Sequence, residues 1–346
     1  MPRDPASPSA AQMIVADPEG DIVFMVGRKK SDQKSILVSS KVLSLASPAF
    51  AALFSPRWSE GVDKFSSIKP RQIDLPDDDT AAMDWICQAL HFRSNISTDI
   101  GLSRLEKVAI LGDKYDLGVA LKPWGQLCLQ SLRWTVSTDL SEAEIVSLMW
   151  VVFFFDHSRL FWYSSFALQF RYSRSSSSRD GQHISGIAAS LLKEKTIVSI
   201  IADRHNILNH VHTMLEDMIT QVLSDTEGPI AITHHIKELQ RIDLWPLSKI
   251  FQQASLKDVE QRLGFYQACK WYDCGCSRVK MHDTIKVILG VIAEKQAGLC
   301  LKCYKVGKVS RASENCMMLD QRLCESGEID RDRFLRNLIM RELQKT

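Results

Sequence analysis

The sequence predicts an α+β chain in which short strands mixed with helices occupy the N-terminal part and an all-α region follows. Three observations predict it. Two brief β-branched runs, "DIVFMVG" (21–27) and "SILVS" (35–39), flank a charged segment and read as a hairpin. A third, "QIDLP" (72–76), alternates apolar and polar residues as a strand does. Beyond residue 133 the apolar spacing is helical throughout.

After the hairpin, Val42, Leu45, Ala46, Phe50, Leu53 and Phe54 recur at helical spacing from Lys41 onward. Within that run Ser47-Pro48 reads as a cap followed by proline at an early helical position, and Pro56 is a stop. "DDDTAAMDWICQALHF" places acids before an apolar run, where free N–H groups and the helix dipole favour them. Met83, Ile86, Ala89 and Leu90 form its inward stripe. The stretch from Ser103 to Arg133 predicts two more helices that meet near Gly118.

Residues 140–170 predict two apolar helices broken at "DHSR". The more apolar one, "IVSLMWVVFFF" (145–155), is too short for a bilayer core of about 30 Å. "RYSRSSSSRDGQ" (171–182) is a polar, low-complexity loop. A long helix is expected over roughly 185–224, with Leu191, Ile197, Ile201, Leu208, Val211, Leu215, Met218 and Val222 on one face. "IAITHHIKELQRI" and "SLKDVEQRL" are further helices, the second carrying Ser255 and Asp258 in a capping arrangement.

At 346 residues, with 45% apolar and 24% charged residues, the chain suits about two globular domains. Its net charge of +2 gives no electrostatic reason to expect nucleic acid or a membrane as partner. The Pro/Ala/Ser-rich start reads as a disordered lead over 1–18 without a secretory pattern. The expected setting is therefore cytoplasmic or nuclear, where cysteines stay reduced.

Those cysteines raise the question of a metal. Zinc takes four tetrahedral nitrogen or sulfur ligands, commonly as two close pairs. "CGC" (Cys274, Cys276) and "CLKC" (Cys300, Cys303) are candidate pairs for a structural zinc, with His282 or Cys269 as alternative ligands. The competing reading makes them small apolar side chains in a helical core. His205, His210 and His212 lack the i,i+4 spacing of a helical metal site, and adjacent His234 and His235 face different ways, so these read as boundary or solvated histidines. No phosphate-binding glycine loop, G-x-S-x-G or H-E-x-x-H occurs. The basic tract Lys302, Lys305, Lys308 and Arg311 reads as a solvated face.

The first part of the chain resembles the BTB/POZ family, and in particular the BTB proteins abundant in filamentous fungi. Asp21, Val23 and Phe24 fit the family's opening strand, and Leu43, Ser47, Pro48, Phe50 and Phe54 fit its leucine, Ser-Pro and aromatic positions. "WSEG" (58–61) matches a recurrent aromatic-x-Glu-Gly turn, and "AILGDKYDL" (109–117) resembles the A-D-K-Y-x-L helix. The resemblance implies a BTB fold over 19–133, followed by a helical region over 134–268 and a cysteine-containing helical region over 269–346. It further implies a non-catalytic protein–protein interaction module, acting as an oligomerising scaffold or as an adaptor for a cullin-type ubiquitin ligase. Protein partners, a cullin or a second copy of the chain, are expected; membrane and nucleic acid are not. Dimeric members carry a His-Arg or His-Lys pair after the second strand, where this chain has Ser39 and Ser40 and then Lys41. The alternative class is a zinc-stabilised, transcription-linked or nucleic-acid-binding protein.

Overall fold

The computed structural model describes residues 13–29, 33–55, 66–93, 96–131, 140–172, 190–192, 194–224, 228–267, 281–295, 299 and 301–305. Four strands, β1 (Ile14–Val15), β2 (Ile22–Val26), β3 (Lys34–Val38) and β4 (Arg71–Leu75), form one sheet in the order β1-β3-β2-β4. The hairpin is antiparallel, pairing Ile22 with Val38 and Phe24 with Ile36, while β4 runs parallel to β2 and pairs Ile73 with Phe24. Alternation puts Ile22, Phe24 and Val26 into the core on one face of β2. The lead expected to be disordered to residue 18 contains a strand: Ile14 and Val15 run parallel to Ile36 and Leu37 on the open edge of β3.

Two helices follow the hairpin, α1 (Ser40–Ala46) and α2 (Pro48–Leu53). They are separated at Ser47, whose extended backbone ends one and whose hydroxyl caps the other. Because the helix is interrupted there, one periodic face does not run through. Leu43 is buried, and Leu45, one of the apolar residues of the expected helical run, lies exposed. After β4 come α3 (Thr80–Leu90), α4 (Leu102–Lys114) and α5 (Gly118–Ser131). Asp79 caps α3 by accepting from the Ala81 and Ala82 amides at 3.1 and 3.0 Å, and the expected stripe of Met83, Ile86, Ala89 and Leu90 is buried.

The helical remainder comprises α6 (Glu142–Phe154), α7 (Ser158–Arg171), α8 (Glu194–Leu223), α9 (Gly228–Arg241), α10 (Leu247–Gln253), α11 (Leu256–Gly264), α12 (Met281–Lys295) and α13 (Leu301–Lys305). The long helix starts at Glu194, later than the expected 185, and Leu191, itself helical, precedes it. Ile197, Leu208, Val211, Leu215, Met218 and Val222 are buried as expected. Ser255 and Asp258 do form a capping box, each side chain bonding the other's amide at 3.0 Å.

The described chain forms two compact units. Residues 13–131 belong to the first, together with 150–157; residues 140–149 and 158–305 belong to the second. The sequence placed 150–157 in the helical region after 133. They group with the first unit because Phe154 and Phe155 lie against Gly112 and Gly125, where an added methyl would fall 2.4 and 1.9 Å from the rings. The core of the second unit is built from α7 to α12, with Leu208, Val211, Leu215, Leu239, Leu256, Val259 and Ile288 nearly or wholly inaccessible. Among the described residues no helix is long and apolar enough to cross a membrane.

Candidate interaction surface

A surface is positioned by the interior beneath it, and in the first unit that interior is aromatic. The Phe50 ring stacks with Phe24, Phe54 and Tyr115 at centroid separations of 5.7, 5.7 and 4.6 Å. Tyr115 is anchored at both ends. Its carbonyl accepts from the Ser47 hydroxyl, and its own hydroxyl donates to Asp78 at 2.5 Å. Lys114 donates to the other oxygen of Asp78, also at 2.5 Å, so this buried carboxylate is paired and hydrogen-bonded, the condition for keeping one inside. Burial and the Asp78 charge hold the Tyr115 phenol far above its ordinary value.

At the β3–α1 junction, Asp21 accepts from the Ser40 amide at 2.7 Å and from its hydroxyl at 2.6 Å. Ser40, which stands where dimeric members of that family carry the second, basic residue of their pair, thus supplies both donors to Asp21. Beside it the Ser39 amide donates to Nε2 of His91 at 3.0 Å.

The outside of this unit carries apolar groups. On α5, Val119, Pro123 and Leu127 follow one another at i, i+4 and i+8, and all three are exposed, Val119 at 92% and Leu127 at 48%. Residues at that spacing share one face, so this is an apolar stripe turned away from the core. Leu45 on α1 is 81% exposed.

Phe92 is more unusual. Among the described residues four non-glycines have positive φ: Phe92 (53°), Asp116 (51°), Asp156 (57°) and Asp243 (55°). Each follows a helix, and in each case the next amide closes the helix end: Arg93 to the Gln88 carbonyl (3.0 Å), Leu117 to Gly112 (2.7 Å), His157 to Val152 (2.8 Å) and Leu244 to Leu239 (2.8 Å). This is the left-handed helix termination that favours glycine. Aspartate tolerates it better than most residues. Phenylalanine does not, and Phe92 gains little burial in exchange, being 81% exposed.

Several residues singled out in the sequence sit elsewhere. Cys269, Cys274, Cys276 and Cys300 lie outside the described residues, as does the loop over 173–182; His282 and Cys303 fall in α12 and α13, and their side chains are not described. Among the described residues no group of three or more His, Cys, Asp or Glu is arranged to hold a metal ion. Cys87 and Cys128 are buried thiols; burial raises Cys87 strongly and Cys128 to about 11, which disfavours the reactive thiolate. His205 and His210 are exposed, as expected. His235, read as a boundary or solvated histidine, is buried against Tyr266, with Nδ1 bonded to its hydroxyl and the rings stacked. The end of α11 delivers Tyr266 to that place, which adjacency to His234 gave no means of foreseeing.

No protein-family model matches the chain, and no curated protein does.

Proposed function

We propose that residues 19–133 are a BTB/POZ-type protein–protein interaction module and that the chain works as an oligomerising scaffold or adaptor, with cullin-type ubiquitin ligases among its candidate partners. One observation carries the reading. Residues on which the resemblance rests are joined to one another: Ser47 to Tyr115, and Phe24, Phe50, Phe54 and Tyr115 through one run of stacked rings. Aromatic residues meet in any core, so the support lies chiefly in the buried polar bond by which Ser47 reaches Tyr115 across 68 residues. The exposed Phe92 and the Val119–Pro123–Leu127 stripe are the candidate contact groups, since aromatic residues are enriched at protein interfaces and exposed apolar groups that lie together mark interaction sites.

The test compares full-length tagged chain with Phe92→Glu and Val119→Glu/Leu127→Glu. Removal of residues 1–133 is the poorer control, because it would uncover Phe154 and Phe155. Proteins co-purifying from native lysate are identified by mass spectrometry, and self-association is measured by sedimentation velocity. A cullin or a self-associated species lost in either variant supports the proposal. A monomer that enriches no protein above the tag control overturns it.

A further inference from the structure

The His91 imidazole bridges two elements distant in sequence. Its Nδ1 lies 2.7 Å from the carbonyl of Cys87 on α3, and its Nε2 lies 3.0 Å from the Ser39 amide at the end of β3. A carbonyl only accepts and an amide only donates, so the ring is the neutral tautomer with its proton on Nδ1. A second proton has one place to go, Nε2, where it would face the Ser39 N–H.

Ser39 is a sensitive place for such a collision. It is the N-cap of α1, and the next residue, Ser40, is held by Asp21 through two hydrogen bonds. We propose that His91 is a proton-sensitive latch that fastens the β3–α1 junction to the end of α3 and releases it on acidification.

The charges around the ring come from several elements. Asp17, in the turn between β1 and β2, favours the added proton, and Arg93, just past α3, opposes it. Arg93 is itself tied to β1 through the Val15 carbonyl at 3.1 Å. Asp21 engages the neighbouring Ser40; Lys41 on α1 is exposed. The Cys87 thiol on α3 is uncharged, its ionisation suppressed by burial. Burial is the largest influence on His91 and holds its pKa below the ordinary imidazole range. The closed latch therefore prefers the neutral ring, while an opened one binds a proton with an ordinary pKa of about 6.5. Opening becomes easier as pH falls below about 6.5, by up to about tenfold per pH unit, until the closed form itself titrates.

Hydrogen–deuterium exchange of the full chain at pH 7.5 and 5.5, corrected for intrinsic rates, reads this directly in peptides over 33–46. Wild type should exchange faster at pH 5.5, by up to about tenfold. His91→Gln, whose carboxamide offers a donor and an acceptor but no titration, should keep the pH 7.5 protection and lose the difference. Equal protection of wild type at both pH values, or an undiminished difference in His91→Gln, overturns the proposal. Should His91→Gln fail to fold, imidazole 15N chemical shifts of the wild type decide. A bare Nε2 at pH 7.5 that gains its proton below the ordinary imidazole range supports the latch, and an Nε2–H tautomer overturns it.

Discussion

Ser47 and Tyr115 are 68 residues apart, yet one hydroxyl serves both the start of α2 and the end of α4. Ser47 Oγ accepts from the Phe50 amide at 2.9 Å and donates to the Tyr115 carbonyl. Ser47 is wholly inaccessible to solvent, so neither partner can turn to water if the hydroxyl is removed.

Ser47→Ala should therefore cost about 2–3 kcal/mol, combining a lost N-cap with a buried carbonyl left unpaired. Ser39→Ala removes a weaker cap, 3.5 Å from the Val42 amide and only part-buried, and should cost less than about 1 kcal/mol. Urea unfolding midpoints of the two variants check the contrast. Equal losses would show that the Ser47–Tyr115 bond contributes nothing.

Glycine substitutions should separate by the space around them. Gly125→Ala places a methyl 1.9 Å from the Phe155 ring, an overpacking that costs about 1–3 kcal/mol or more. Adding Phe155→Leu should restore part of it. Gly290→Ala on α12 meets nothing within 4 Å and should stabilise by about 0.5–1 kcal/mol, the helix preference of alanine over glycine. Thermal unfolding of the three variants measures both signs.

Phe92→Asn replaces a residue poorly suited to φ 53° with one that tolerates it. Stability should hold or rise by up to about 1 kcal/mol, because the left-handed conformation itself costs about that much for ordinary residues. A loss above about 1 kcal/mol in urea unfolding would mean that the ring packs in the folded chain and is not held out for a partner.

His235 and Glu260 should give opposite pH dependences. Burial lowers the His235 pKa to about 4, with His234 adding to the shift and Glu238 opposing it. Its stabilising contribution is complete above the ordinary imidazole pKa of about 6.5 and is lost as pH falls toward 4. Burial raises Glu260 to about 7. Its contribution is complete below the ordinary carboxyl range and is lost as pH rises toward 7. Glu260→Gln should thus improve stability more at pH 7.5 than at pH 4.5, and His235→Gln should compare more favourably with wild type at pH 4.5 than at pH 7.5. Urea midpoints at pH 4.5, 6 and 7.5 test both, and parallel pH profiles for the variants and wild type would refute the assignments.

Most element boundaries could be read from the chain because their causes are local. The Asp79 cap, the Ser255–Asp258 box and the breaks at Ser47 and Gly118 depend on residues a few positions apart. Elements held by distant partners could not. Ile14–Val15 is too short to show a pattern and is a strand because β3 has a free edge. Leu247–Gln253 is a helix of seven residues that buries Leu247 and Phe251 against the second core; so short a helix has little stability of its own. The candidate surface was still harder to foresee, since Leu45 and Phe92 are indistinguishable in sequence from core residues.

The amino-acid sequence by itself determined that a hairpin and strand mixed with helices precede an all-helical region, the caps at Ser47, Asp79 and Ser255, and the apolar face of α3 and most of that of α8, because these follow from backbone geometry and side-chain spacing within a few turns. Tertiary structure alone decided that Asp21 binds Ser40, that His91 is held as one tautomer, that residues 150–157 join the first unit, and that Phe92 faces solvent. Each of these depends on which groups lie within a few ångströms of one another, and the chain brings those groups together only when it folds.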